Sequence, residues 1–217
     1  MLLAIDTSTA AVTVALHDGA NAVAHFTEVD ARRHTELLAP AIAGVLAEAG
    51  ASPDDLTGVA VGVGPGPFTG LRIGLVTART LGLALAIPVH GVCSLDIIAA
   101  DARVDGRFVV VTDARRREVY RAEYERPDGD VTAPPRRLDG PAVVPPHEVA
   151  TTLPAAGAGA RMFPDLFPNA VDPELPDAAT LAAMVAGGSA DIVPPVPLYL
   201  RRPDARPPGA RKSVLSR

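Results

Sequence analysis

The run Gly62-Val63-Gly64-Pro65-Gly66-Pro67-Phe68-Thr69-Gly70-Leu71-Arg72-Ile73-Gly74 constrains this chain more than any other stretch. It leaves an apolar strand, Val59 to Val63, and enters a long apolar segment through a turn of glycine and proline. A strand, a glycine turn and a helix N-terminus in series leave backbone N–H groups facing a phosphate or a partner chain. The loop Gly64, Pro65, Gly66, Pro67, Phe68, Thr69 and Gly70 is therefore the first candidate site. The pattern predicts a helix from Thr69, as N-cap, to about Ala86, ended by Pro88. Gly74, Ala78 and Gly82 recur along it at four-residue spacing, and leucine, isoleucine and valine fill most of the remaining circumference. Only Arg72 and Arg79 are charged. A helix apolar nearly all round is covered on more than one side. Two coverings stay open: the core of its own chain, or its own sheet on one face and another subunit on the other.

The chain is long enough for one large domain or two lobes of about 100 residues. Its formal net charge is −5, yet from Arg201 onward there are six basic residues and one acidic. The remaining body is so acidic that duplex binding is a poor reading of it. The basic, proline-rich tail over 203–217 reads as disordered and solvated, with RNA contact as the alternative. A single cysteine, Cys93, excludes a disulfide framework within the chain and fits a reducing compartment. No signal-peptide pattern precedes the first strand, and the longest uncharged apolar run, Thr80 to Leu95, is short and contains Pro88. The expectation is a cytoplasmic protein with no membrane segment.

Leu2-Leu3-Ala4-Ile5-Asp6, then Val12 to Leu16, then Ala22 to Thr27, separated by polar or Asp-Gly turns, predict an antiparallel meander. A helix over about 35–49 follows, carrying Leu38, Ile42, Val45 and Leu46 at helical spacing, with Pro40 bending its first turns. The same order then returns. Arg107 to Asp113 is an apolar strand ending in an acid, Arg115-Arg116-Arg117 turn the chain, and Glu118 to Tyr124 alternate. A turn at Asp128-Gly129 and a third strand from Val131 complete the set. The two acids lie about 107 residues apart, and the repeat reads as a duplicated lobe, 1–103 and 104–202. The second lobe is reduced. Proline and alanine dominate Pro134 to Pro176, followed by a helix at Ala178 to Ala186 and a strand at Val196 to Leu200.

Two lobes that each open with a strand ending in aspartate describe actin-like, Hsp70-like and sugar-kinase (ASKHA) α/β folds, whose turns clasp phosphates and whose acids hold Mg²⁺ and water. Asp6, Thr7, Ser8 and Thr9 suit the first turn, while three arginines after Asp113 suit the second badly. These five residues form a candidate vestigial phosphate loop. The five histidines show no metal-ligand spacing. Cys93 reads as a small buried hydrophobe, His34 as part of an exposed polar cluster with Arg32 and Arg33, and Asp54 and Asp55 as first-turn helix acids.

Ala4-Ile5-Asp6-Thr7-Ser8-Thr9, His34-Thr35-Glu36-Leu37-Leu38, the glycine–proline motif through Gly74, Pro88-Val89-His90-Gly91-Val92, Asp113-Ala114-Arg115 with Glu118-Val119-Tyr120, and Tyr199-Leu200-Arg201 resemble the TsaB (YeaZ) family. The likeness covers roughly residues 1–202; Pro67 departs from the family's usual serine. The resemblance implies a non-catalytic scaffold in tRNA threonylcarbamoyladenosine (t6A) synthesis. It would pair with a paralogous TsaD-like catalytic subunit and help recruit a TsaE-like ATPase and tRNA, forming a homodimer when alone. It implies that Gly91 and Leu95 stand where TsaD carries metal-binding histidines, so no intrinsic metal or cofactor is expected, with nucleotide at a subunit interface open. It also implies a partner interface on the two helices of the first lobe, for which the candidates are His34, Leu37, Leu38, Ile42, Arg72, Ile73, Gly74, Val76, Thr77, Ala78, Thr80 and Gly82. The competing hypothesis is an enzyme acting alone, either a nucleotide hydrolase using Asp6 and Asp113 or a metallopeptidase of the same superfamily.

Overall fold

The computed structural model describes residues 1–127 and 129–201. β1 (Leu2–Asp6), β2 (Ala11–His17) and β3 (Ala22–Val29) form the antiparallel meander that the sequence pattern predicts. β4 (Gly58–Gly62) lies parallel to β1 and β5 (Val89–Val92) parallel to β4, giving the order β3-β2-β1-β4-β5. Strands covered on both faces have to be apolar throughout, and the central three, with sequences LLAID, AVTVALH and GVAVG, are almost wholly buried.

The second sheet repeats this topology strand for strand. β6 (Gly106–Asp113), β7 (Val119–Arg126) and β8 (Arg136–Val144) make an antiparallel meander, and β9 (Ala155–Ala156) and β10 (Ala170–Val171) add in parallel. The order β8-β7-β6-β9-β10 matches the first sheet position by position, and Asp6 and Asp113 close corresponding strands. The chain is thus a duplicated α/β protein of two-lobe, actin-like design. Its second sheet is the reduced one, with two-residue strands at β9 and β10.

α1 (His34–Glu48) and α2 (Phe68–Leu85) cover one face of the first sheet, against Leu3, Ile5, Val59 and Val61. The opposite face presents Ala4, Ala15 and Ala60, whose small side chains let α5 (Ala178–Ala186) lie close. So α5 follows the second sheet in sequence yet packs on the first, and Ala178 N–H donates to Thr13 Oγ1 at 3.1 Å. α3 (Ser94–Asp101) lies between the sheets. Its Ile97 joins the alanine-lined cluster, while Leu95 and Ile98 pack with Phe108 and Tyr124 of the second sheet. α4 (Ala158–Met162) packs on the far side of β6, where α2's counterpart is cut to five residues.

Four sequence expectations shift. α2 begins at Phe68 with Pro67 as N-cap, so Thr69 lies inside the helix and no side chain caps its free N–H groups. It ends at Leu85, before Pro88, because Ala86 turns left-handed at φ 54°. The third strand of the second sheet starts at Arg136 instead of Val131. There the Asp130 carboxylate accepts from the N–H groups of Thr132 and Ala133 and from the Thr132 hydroxyl, which holds a turn. No strand forms over Val196 to Leu200, since Pro194, Pro195 and Pro197 lack the donors a ladder needs. That segment instead runs as a strap: Val193 bridges Gly91, and Leu198 N–H donates to Val63 O at 2.9 Å. Asp128 and the tail 203–217 lie outside the described residues.

Candidate functional site

α2 has two faces, and the glycine stripe is the inner one. A Cβ at Gly74 would stand 2.5 Å from Thr7 Oγ1, and one at Gly82 would overlap the Val89 side chain. Ala78 is fully buried. The stripe therefore serves close approach to β1 and β5 of the same chain, which removes Gly74, Ala78 and Gly82 from the partner surface. Leu37, Leu38 and Ile42 are likewise buried in the core under α1. His34 is buried too, not exposed as expected, with Nε2 2.9 Å from Thr9 O. By length and composition α2 could cross a membrane, but its small residues are pressed on the sheet.

Of the nominated residues, Arg72, Val76 and Thr80 are exposed, and Ile73 and Thr77 are half-buried. Leu83 and Ala84, which the sequence reading missed, are exposed as well. Leu83 shows 86% of its surface and Val76 61%. Positions 76, 80, 83 and 84 form a second helical stripe, offset from the glycines, and that spacing was the available signal. Beside it α1 exposes Ala39, Pro40, Ala43, Gly44 and Ala47, none of them charged. Where α1 and α2 adjoin, the outer face of the helix pair is thus small, apolar and uncharged, with exposed Arg72 and Arg79 on its α2 flank, which singles it out as a contact surface.

The first aspartate turn is closed by its own chain. Asp6 is fully buried. Its Oδ1 accepts from Ser8 N–H at 2.7 Å and the Ser8 hydroxyl at 2.8 Å, and its Oδ2 accepts from the Ser94 hydroxyl at 2.6 Å. Gly64 N–H donates to the same Ser94 oxygen, so Ser94, unmarked in the sequence, joins β1, the motif loop and α3. Burial raises the Asp6 carboxyl above its usual range, and the three hydrogen bonds offset part of that rise. Thr7 Oγ1 donates to Gly70 O at 2.7 Å and accepts from Gly74 N–H. A Cβ at Gly66 would overlap Ser8 O, so the motif loop lies directly on this turn. Asp113, on the other lobe, accepts from Arg115 N–H at 2.7 Å and has the Arg115 guanidinium 3.5 Å away.

What remains open is a cleft of about 230 Å³ beside the turn, lined by Thr9, Arg32, His34, Thr35, Thr69, Gly70 and Arg115 among others. It contains no carboxylate. Both long helices start at its wall, and neither N-terminus has a side-chain cap, so the cleft gathers free N–H groups, two guanidinium groups and three hydroxyls. A larger cavity of about 600 Å³ lies between α3, α5 and the β7–β8 connection, and its principal charges are already paired. Arg137 grips both oxygens of Asp96, which also accepts from Tyr124 OH, and Arg136 pairs with Glu125.

Other candidates separate from this region. Burial pushes the Cys93 thiol up to about 12, which keeps it a thiol. Asp55 accepts from Ser52 in a capping box on a single 3-10 turn, away from any carboxylate dyad. Leu95 is core, and a Cβ at Gly91 would stand 2.7 Å from Val193 O, so the strap leaves no room for a larger side chain there. Among the described residues no group of three or more His, Cys, Asp or Glu side chains is placed to hold a metal ion. The strap also ties the motif loop down: Phe68 and Tyr199 rings lie 4.5 Å apart, Arg72 Nε donates to Tyr199 OH at 2.7 Å, and Arg201 pairs with Glu118.

The family model described as TsaD, tRNA N6-adenosine threonylcarbamoyltransferase, matches residues 24–159. YeaZ from Pseudomonas aeruginosa superposes with a TM-score of 0.74 at 33% identity, over 92% of this chain and 99% of that one. An uncharacterized protein of Mycobacterium leprae is 46% identical over 95% of this chain, which spans 56% of that relative. The tRNA threonylcarbamoyladenosine biosynthesis protein TsaB of Escherichia coli is 41% identical over 60% of this chain and 57% of its own length. The match to the M. leprae protein thus covers little more than half of that relative.

Proposed function

The chain belongs to the TsaB (YeaZ) family, and on that premise we propose that it is a non-catalytic pairing subunit for threonylcarbamoylation of adenosine in tRNA. The partner is a TsaD-like catalytic paralogue, seated on the outer face of α1 and α2. The observation that carries this reading is the uncharged stripe at Val76, Thr80, Leu83 and Ala84 beside the alanine face of α1. Leu83 at 86% exposure has no role in the fold of its own chain. The match of a TsaD family model supports a partner of the same fold, able to present an equivalent helix pair. Alone, the chain covers the stripe by homodimerising.

Chemistry falls to the partner in this reading. The oxygens of Asp6 and the hydroxyl of Thr7 are engaged within the chain, and Cys93 is held as a buried thiol. The cleft at Arg32 and Arg115 suits the phosphates of a nucleotide held at the subunit boundary, which would couple pairing to nucleotide supply. A TsaE-like ATPase and tRNA then join the assembled pair, in the cytosol. Size-exclusion chromatography with light scattering, on this chain alone and mixed with its TsaD-like paralogue, tests the proposal. A one-to-one complex is the expected result. No mass shift across salt and nucleotide conditions, or ATP turnover by this chain alone, would overturn it.

A further inference from the structure

The β6–β7 hairpin turn carries a feature that pairing leaves unexplained. Arg115, Arg116 and Arg117 all adopt left-handed backbone, with φ of 64°, 54° and 60°. Turn geometry favours glycine or asparagine at such positions, and three successive L side chains there are uncommon. All three are exposed. None of the three is a core residue, and the backbone gives a reason against arginine, so what these side chains offer here is charge.

The turn does not stand alone. Arg115 reaches the cleft at the N-terminus of α2. On the neighbouring residue Glu118, Arg201 of the strap is paired. Two residues earlier the strap presents Tyr199, 40% exposed, with the Arg72 guanidinium 5.6 Å from its ring centre. Among the described residues, Arg72, Arg115, Arg116, Arg117 and Arg201 thus gather on one surface, Arg115 beside Asp113 and Arg201 beside Glu118, on a chain whose net charge is −5. Residues 202–217, which follow directly, add five basic side chains and one acidic. Arginines beside an exposed aromatic ring match the needs of a single-stranded RNA loop, whose phosphates take the charges and whose unstacked bases take the ring.

We propose that the Arg115–Arg117 turn and the strap at Tyr199 and Arg201 form a phosphodiester-binding surface of this chain, contacting the RNA substrate of the pair directly. This rests on the proposed function, and it places part of RNA recognition on the subunit without the chemistry.

The test is Arg116→Gly combined with Arg117→Gly, in the full chain. Glycine adopts the left-handed region freely, so the variant keeps the turn and its folding is not at risk. Arg115 and the cleft are left untouched. Binding of a fluorescently labelled, unmodified tRNA transcript is read by anisotropy across a salt series, for the chain alone and for its complex with the paralogue. Two lost phosphate contacts make the slope of log K against log salt shallower by about 1.4, and weaken binding about tenfold near 0.15 M salt. Unchanged affinity and slope would overturn the proposal. So would binding to phosphatidylserine vesicles without binding to RNA, which would assign the surface to a membrane. Light scattering on parent and variant, each mixed with the paralogue, separates the two readings: failure of the parent chain to pair refutes the proposed function, whereas intact pairing of both with unchanged RNA binding by the variant refutes this one.

Discussion

Replacing Val76 and Leu83 together by serine removes the two largest exposed apolar side chains of α2 while leaving its glycine face on the sheet. Full burial of a valine or leucine side chain stabilises by roughly 1.5–3 kcal/mol. Scaled by the 61% and 86% now open to water, the pair contributes about 3 kcal/mol when a partner covers it. That corresponds to roughly a 150-fold weaker dissociation constant. Stability of the free chain should change by no more than about 0.5 kcal/mol, because neither side chain packs within it. Isothermal titration against the TsaD-like paralogue measures the first quantity and thermal melting the second. Gly74→Val is the matched control. Its side chain is driven into Thr7, so it lowers the melting temperature instead of acting through the interface. Unchanged affinity in the double-serine variant would refute the assignment of this face, and lost stability would show that these residues support the fold after all.

Three further outcomes follow from the interior. Ser94→Ala strips Asp6 Oδ2 of its donor and Gly64 N–H of its acceptor, and should cost about 3 kcal/mol in chemical denaturation; a shift below about 1 kcal/mol would show that Ser94 is not a keystone. Asp6 has a folded pKa above its unfolded value, so its contribution to stability is full below the unfolded pKa and is lost as pH rises through the folded one. The stability of Asp6→Asn relative to the parent should therefore climb as pH rises above the ordinary carboxylate range; a flat difference would contradict the raised pKa. Arg126→Met leaves the carbonyls of Ala99, Ala100, Ala102, Val104 and Ala133 without their guanidinium donor, and should cost about 3–4 kcal/mol in urea unfolding. A near-neutral result would mean that water replaces the arginine.

The duplicated lobe was legible because each copy writes the same grammar: apolar strand, terminal aspartate, polar turn, alternating strand. The first meander, the first two strands of the second and the helix at Ala178 to Ala186 follow that reading closely, while the third strand of the second starts five residues later than expected. The partner face was half legible. Periodicity located α2 but could not say which of its two stripes met the sheet, since glycine at four-residue spacing fits either contact. Only the positions of Thr7 and Val89 decide it. His34 was misplaced for a related reason: beside Arg32 and Arg33 it reads as solvated, and its acceptor, Thr9 O, lies 25 residues away. Ser94 left no local mark at all, since its partner Asp6 is 88 residues distant. Proline density hid the strap, which contributes bridges and not a ladder.

The seating of α5 on the first sheet bears on how the chain comes to be folded. The alanine face of β1, β2 and β4 is made early in synthesis, but its cover is not made until residues 178–186 have been added. Until then only Ile97 of α3 stands against that face, and an apolar surface left open in this way is the kind that chaperones hold and other chains adhere to. The contact between Thr13 and Ala178 spans 165 residues, and closures of that length are slow because the loop entropy falls due before the contact forms. The second sheet, compact and locally paired, would assemble while the first waits. Order of synthesis and order of completion thus run in opposite directions, and α5, the last helix among the described residues, is the one that seals the first sheet begun.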